Sequence, residues 1–315
     1  MKKGIISLGE ALIDFIPLDE TNLTYQKSPG GAPANVAVGI ARLDLPSYFV
    51  GKVGDDVLGR FLQETLSDYG VNTSSMPLST EARTGAVFVT LGQNGERSFD
   101  FYIQPSADTF LSEEDINEEI FKTAKILHFG SISLINEPSK AATLKAIKLA
   151  KENGVLVSYD PNLRLNLWES EEKARETILS LFSEVDIIKI SDDELAFLTG
   201  EKEIEKGLEK IASYQIPFLA LTLGSEGSYL ISSESTAKVS AMKVQAIDTT
   251  GAGDAYVSGL LYCIHELEGS LASVSKEDAE KIGRFASVSG ALAASTKGAM
   301  TALPTLSEVK AILNN

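Results

Sequence analysis

Cysteine is almost absent from this chain of 315 residues. Cys263 stands alone, so no disulfide framework and no cysteine-based metal cluster can form within it. It falls in an apolar helical pattern and reads as a small core residue. Histidine is nearly as scarce. His128 and His265 lie far apart, without a His-x-x-x-His metal pair, and each reads as structural. Basic residues are outnumbered, 28 Lys and Arg against 44 Asp and Glu, for a net charge of −16. Such an acidic surface argues against nucleic acid or an anionic membrane as a partner. Long apolar runs are missing too. The N-terminal run before Gly9-Glu10 is too short for a signal peptide or a membrane span, so the expected compartment is the cytoplasm. Three catalytic signatures are also absent. There is no Gly-x-x-x-x-Gly-Lys-Ser/Thr loop and no Gly-x-Ser-x-Gly elbow, and Tyr256 stands where a dinucleotide fingerprint needs its third glycine.

What is present is a soluble-protein composition, 43% hydrophobic, long enough for one large α/β domain with an insertion or for two domains. Ile5 to Leu8 reads as a buried strand, and Gly30-Gly-Ala-Pro-Ala-Asn35 opens a helix with Val36, Ile40 and Leu43 on one face. Between 84 and 103, Val87, Val89 and Leu91 alternate with smaller residues, as do Phe99, Phe101 and Ile103. Asn94-Gly95 lies between them, which predicts a hairpin. With residues 11–27 it predicts a small sheet, 11–27 and 83–104, apart from a main body of 1–10, 28–82 and 105–315; this sheet could be a lid, a dimer surface or both. From about 112 the pattern becomes regular βα alternation. Ser112 is expected to cap a helix carrying Ile116, Ile120 and Phe121, and strands are expected at 126–129, 155–159, 186–190 and 216–223. Strands alternating with helices predict a mostly parallel sheet covered on both faces.

The polar and Gly-rich segments at 160–164, 191–194, 224–227 and 248–254 are each expected to follow a strand, with Val244 to Ile247 leading into the last. In an open α/β sheet such segments share one cleft. The most informative is Asp248-Thr-Thr-Gly-Ala-Gly-Asp254, followed by a helix with Val257, Leu260, Leu261, Ile264 and Leu267 at three- and four-residue spacing. Gly251, Ala252 and Gly253 then sit where helical N–H groups lack intrahelical partners, a site for an anion such as phosphate. An acidic residue in a first turn is favoured by the dipole in any protein. Beside Gly-Ala-Gly, however, Asp254 is suited to take a proton from a hydroxyl that attacks phosphorus. Gly30 and Gly31 let a ligand approach the backbone, Asn35 and Asp14 offer partners to hydroxyls, and Arg164 suits a phosphate.

Taken together, Gly30-Gly-Ala-Pro-Ala-Asn35 and Asp248-Thr-Thr-Gly-Ala-Gly-Asp254 resemble the two signatures of the ribokinase-like (PfkB) carbohydrate kinases. The match runs through Val53-Gly-Asp-Asp56, Thr222-Leu-Gly224 and Lys297-Gly-Ala299, covering nearly the whole chain. Asp160-Pro-Asn-Leu-Arg164, with Trp168 nearby, and Lys189-Ile-Ser-Asp-Asp-Glu-Leu195 look most like the family's fructokinase branch. The resemblance implies a ribokinase-like three-layer α/β/α sandwich with a small β-sheet lid, and ATP-dependent phosphorylation of a sugar. By the same resemblance Asp254 would be the general base, over an anion hole of Gly251, Ala252 and Gly253. Asp14, Gly30, Gly31, Asn35 and Arg164 would hold the sugar. Lys189, Glu194, Thr222, Gly224, Gly227 and Ser287 would line the nucleotide site, with Glu194 placing Mg²⁺ through water. Asp248 and Thr250, with carbonyls near Ala293, Thr296 and Gly298, would hold a monovalent cation such as K⁺. The lid would also mediate a homodimer. Departures from the family pattern are Ser191, Ala302 and Ile103, the last standing where many fructokinases have arginine. Fructose is the expected substrate, with 2-keto-3-deoxygluconate and ribose as alternatives. A non-catalytic sugar-binding protein of the same fold and a dinucleotide-dependent oxidoreductase are the rivals from other classes.

Overall fold

The computed structural model describes residues 2–92 and 97–314, so the Asn94-Gly95 turn lies outside the described residues. The chain opens with β1 (Ile5–Leu8), β2 (Leu12–Pro17) and β3 (Tyr25–Gly30), then α1 (Ala32–Arg42). Next come β4 (Ser47–Val50), β5 (Val53–Gly54), α2 (Val57–Asp68), β6 (Asn72–Ser75) and β7 (Leu78–Ser79). The pair β8 (Gly85–Leu91) and β9 (Arg97–Phe101) follows, then α3 (Glu119–Thr123), β10 (Ile126–Phe129), α4 (Ser139–Glu152) and β11 (Leu156–Tyr159). The second half continues with α5 (Glu171–Leu179), β12 (Ile187–Ser191), α6 (Asp192–Thr199), α7 (Ile204–Ile211) and β13 (Phe218–Thr222). It closes with β14 (Ser228–Ser232), β15 (Thr236–Val239), α8 (Ala252–Glu266), α9 (Lys276–Ala294) and α10 (Leu306–Leu313).

Nine strands form the central sheet in the order β15-β14-β13-β12-β11-β10-β1-β4-β6. From β13 to β6 all neighbours are parallel, and β14 and β15 add an antiparallel edge. Strands buried on both faces carry consecutive apolar residues whose side chains alternate between layers. Thus Ile6, Leu127 and Ile188 pack with Phe121, Ala146 and Leu195 on one face. Ile5, Ile126 and Ile187 pack with Val36, Leu260 and Ile282 of α1, α8 and α9 on the other. The result is the three-layer α/β/α sandwich of the ribokinase-like fold. A second sheet, β3-β2-β8-β9, stands apart. Its β8 and β9 pair antiparallel from Val87 opposite Phe101 to Leu91 opposite Arg97, as the alternation at 84–103 predicts.

Two local expectations are corrected. Ser112 does not open one helix through Phe121. It closes a 3₁₀ turn at Glu113–Asp115, because the Asp115 carboxylate accepts from Ser112 N–H at 2.8 Å and from Lys52 Nζ at 2.7 Å. Ile116 is then extended and α3 begins only at Glu119. Nor does a strand lead into Asp248. Residues 240–247 are irregular, and Val244 and Ile247 are exposed rather than buried as strand residues of this sheet would be.

Candidate active site

In an open α/β sheet the crevice lies at the carboxyl ends of the strands, where successive connections run to opposite sides. Here that point lies between β1, which continues toward β4, and β10, from which the chain proceeds to β15. A cleft of about 450 Å³ opens there, lined by residues that include Asp14, Gly31, Asn35, Arg164, Lys189, Thr250, Gly251, Gly253 and Asp254. Residues distant in sequence are thus brought to one surface.

Asp254 lies in the first turn of α8, after Gly251 at φ 77°. That left-handed N-cap conformation suits glycine and turns the loop sharply into the helix. Ala255 N–H is bonded to Gly251 O at 2.8 Å, and Ala252 N–H to Thr249 O at 3.2 Å. Of the three amides expected to form an anion hole, that of Ala252 therefore already has a carbonyl partner within the loop. The Asp254 carboxylate accepts from Asn35 Nδ2 at 2.7 Å. This contact follows from how α1 and α8 pack. One turn beyond Asn35, Gly39 meets Ser258, one turn beyond Asp254; a Cβ on Gly39 would lie 2.2 Å from Ser258 Oγ. The close crossing keeps both helix N-termini at the cleft. Burial pushes Asp254 up to about 6, although the Asn35 bond favours its charged form.

Asp14 projects from β2 beside Gly30, where a Cβ would lie 2.2 Å from its Oδ2. Burial raises Asp14 to about 7, against the opposing pull of the Arg164 guanidinium. The small sheet contributes Leu12, Val87, Phe99 and Phe101 to the same cleft, so it walls one side of it. Ile103 lies outside this cleft and lines an adjoining cavity with Asp108 and Glu10.

Lys189 projects from β12 and pairs with Asp160 at 3.1 Å, both side chains largely buried. Burial works against its charge, but the Asp160 and Glu194 carboxylates outweigh this and raise its pKa. Its ammonium lies 4.0 Å from the point where a Cβ on Gly253 would be, so a cation sits beside the N-terminus of α8. Lys189 and Arg164 also line a second chamber of about 440 Å³ with Ser191, Asp193 and Glu194. The two chambers meet at these cations. Glu194 is the third residue of α6, in a capping box with Ser191. Both its oxygens are engaged, by Leu163 N–H at 2.9 Å and Ser191 N–H at 2.8 Å. A carboxylate so occupied fits a metal reached through water better than one bound directly. Thr222 ends β13, its hydroxyl donating to Ile190 O at 3.3 Å, and Gly224 and Gly227 shape the turn that follows. Ser287 accepts from Met242 N–H at 3.1 Å and lines a separate recess with Lys238 and Arg284, so neither chamber includes it.

Behind α8, Asp248 is buried and accepts from Thr250 N–H at 3.1 Å and Gly298 N–H at 3.2 Å. Its own N–H reaches Ala294 O at 3.2 Å, and Ala293 O accepts from Thr296 N–H at 3.1 Å. The loop before α8 and the end of α9 with its following turn, which carry the expected cation ligands, thus meet at Asp248. A carboxylate among backbone carbonyls is an oxygen donor set that suits a hard cation.

Sequence reasoning gave no role to Asp160 or Glu10, which the cleft includes. Asp160 was signalled only as the head of the 160–164 segment after β11, and Glu10 only by its place near the end of β1. Among the described residues no helix is long and apolar enough to cross a membrane.

Comparison with known proteins agrees with this geometry. The family model described as pfkB family carbohydrate kinase matches residues 2–306. Fructokinase-1 of Oryza sativa subsp. japonica is 45% identical, with 99% of this chain and 98% of the relative covered. Fructokinase from Vibrio cholerae O395, solved with fructose, ADP and calcium ion bound, superposes with a TM-score of 0.90 at 42% identity over 99% of each chain. Fructokinase from Xylella fastidiosa with bound ATP gives a TM-score of 0.93 at 32% identity, covering 100% of this chain and 99% of its own. The matched motifs, the sheet order and the carboxylate at the head of α8 lead to one assignment: the chain belongs to the pfkB family of carbohydrate kinases.

Proposed function

We propose that this protein is an ATP-dependent fructokinase that phosphorylates the 6-hydroxyl of D-fructose. The observation that carries the reading is Asp254, oriented by Asn35, beside a helix N-terminus and the Lys189 ammonium. The sugar hydroxyl loses its proton to Asp254 as its oxygen attacks the γ-phosphorus, and the bond from the γ-phosphorus to the β-phosphate oxygen breaks to release ADP. A base near pKa 6 is mostly ionised at neutral pH and still a useful acceptor. The Gly251 and Gly253 amides, the α8 dipole and Lys189 stabilise negative charge on the transferring group. Mg²⁺ bound to the nucleotide would add charge neutralisation, with Glu194 holding its water shell. A monovalent cation at Asp248 would reinforce the positive end of α8. The small sheet serves as a lid over the sugar, and its exposed Leu18, Leu23 and Tyr102 offer a surface for a homodimer.

Fructose is favoured over 2-keto-3-deoxygluconate by charge. Lys189 and Asp160 offset each other as a pair, so Arg164 faces Asp14 and Asp254 without a surplus of cations, and this suits a neutral sugar. An assay of ATP with fructose, ribose and 2-keto-3-deoxygluconate tests the substrate; turnover of fructose alone is expected, and turnover of another sugar in its place overturns the assignment. Asp254→Asn should lower kcat by at least about 10³-fold while sugar affinity stays within a few-fold. A variant that keeps a tenth of the activity would remove Asp254 from the role of base.

A further inference from the structure

Glu10 lies two residues beyond β1, where the strand end grips the start of α1 at three points. Ser7 Oγ donates to Pro33 O at 2.6 Å. Gly9 abuts the Pro33 ring, where an added Cβ would lie 2.6 Å from Cγ. Glu10 Oε1 accepts from Ala32 N–H at 3.1 Å. Ala32 is the first residue of α1, and Gly31 before it supplies no side-chain cap. Glu10 therefore caps the helix from another element, meeting one of the orphan N–H groups of its first turn. Three residues on, the same helix presents Asn35 to Asp254.

The other oxygen, Oε2, is buried without a hydrogen-bond partner, as is Ser131 Oγ. Glu10, Ser131, Asp160, Asn162 and Asp254 together line a cavity of about 10 Å³. That is room for one water, which binds where several polar groups converge. We infer that Glu10 is a positioning residue for phosphoryl transfer: by holding the N-terminus of α1 it keeps Asn35 on Asp254. This rests on Asp254 being the base. Burial raises Glu10 to about 8, so at neutral pH its carboxyl keeps a proton. It can then accept from Ala32 at Oε1 and donate to the cavity water from Oε2. Gln reproduces both contacts; Ala reproduces neither.

The test is the pH profile of kcat/KM for the sugar in the full-length protein. Asp254 is faced by Asp160, Lys189, Arg164, Asp14 and Asn35, and Glu10 by Asp108 and Arg164, with His128 also lining the cavity. Of these groups, Asn35 is the one that α1 itself presents to Asp254. In Glu10→Ala the acid limb should move above its wild-type position near 6, with kcat down roughly 10–100-fold, the scale of a small misplacement at a reacting centre. Glu10→Gln should keep the limb in place and kcat within about threefold of wild type. Should Glu10→Ala be too unstable to purify, Ala32→Pro deletes the same N–H from the other side, at a helix position that accepts proline, and should move the limb likewise. An unmoved limb in Glu10→Ala or Ala32→Pro, or a Gln variant as impaired as Ala, overturns the inference. A wild-type enzyme with no acid limb, together with an active Asp254→Asn, overturns the base assignment instead.

Discussion

Asp254, Asn35 and Lys189 meet at the N-terminus of α8. The Asn35 amide donates to the Asp254 carboxylate and favours its ionised form. Removing it with Asn35→Ala should raise the pKa of Asp254, shift the acid limb of kcat/KM upward, and lower the rate at pH 7. A hydrogen bond to a charged group contributes about 1.5–3 kcal/mol, or about one to two pKa units, so a loss of roughly 2–15-fold is expected at pH 7, recovered as the assay pH is raised. A loss that is equal at every pH would show that Asn35 does not tune the base. Asn35 and Asp254 were both legible in the sequence because each stands in a short motif whose spacing implies a helix start. Asp160 was less legible. Asp-Pro-Asn after a strand is also an ordinary turn, and only the fold brings Lys189 within 3.1 Å of it. Glu10 had no pattern at all, since its partner is a backbone N–H.

At the scale of elements, the decisive contact is the crossing of α1 and α8. Replacing a helical glycine by alanine normally stabilises a helix by about 1 kcal/mol. Gly39→Ala should do the reverse, because its Cβ would lie 2.2 Å from Ser258 Oγ and 2.7 Å from Ser258 Cβ. Overpacking of this kind costs about 1–3 kcal/mol. It should also weaken catalysis, because parting the helices draws Asn35 from Asp254. Urea unfolding and kcat together check this, and Gly39→Ala with Ser258→Gly should recover much of both. Unchanged stability in the single variant would mean the helices have slack. The two helices were readable from their periodicity, but their crossing was not, since Gly39 and Ser258 carry no signal until they meet. The same limit explains Val244 to Ile247, where a short apolar run matched a strand in pattern yet found no strand to pair with. At Ser112 a cap was present, but Lys52, some sixty positions earlier, helped decide that it closes a 3₁₀ turn.

The whole molecule combines a net charge of −16 with carboxyls buried at its active site. Burial holds Glu10 near 8 and Asp14 near 7, from ordinary values of 4.5 and 3.8, and Asp254 near 6 from 3.8. A group whose pKa is higher in the folded state binds protons more tightly there. Its contribution is fully present below the unfolded pKa and is lost as pH rises through the folded one. His128 works in the opposite direction. Burial lowers it from 6.5 to about 3, so its neutral form is retained at no cost above 6.5 and disfavours folding below. The two effects oppose each other from about pH 4 to 6.5, and above that the carboxyl effect dominates. The melting temperature should therefore fall between about pH 6.5 and 8.5, where accumulating negative charge adds self-repulsion. Salt should recover the repulsive part by screening, but not the cost of ionising buried Glu10. Glu10→Gln, which cannot ionise, should flatten the upper end of the fall in a thermal scan at high salt. A melting temperature that stays level from pH 6.5 to 8.5 in the wild type would mean these carboxyls ionise as readily in the folded protein as in the unfolded chain.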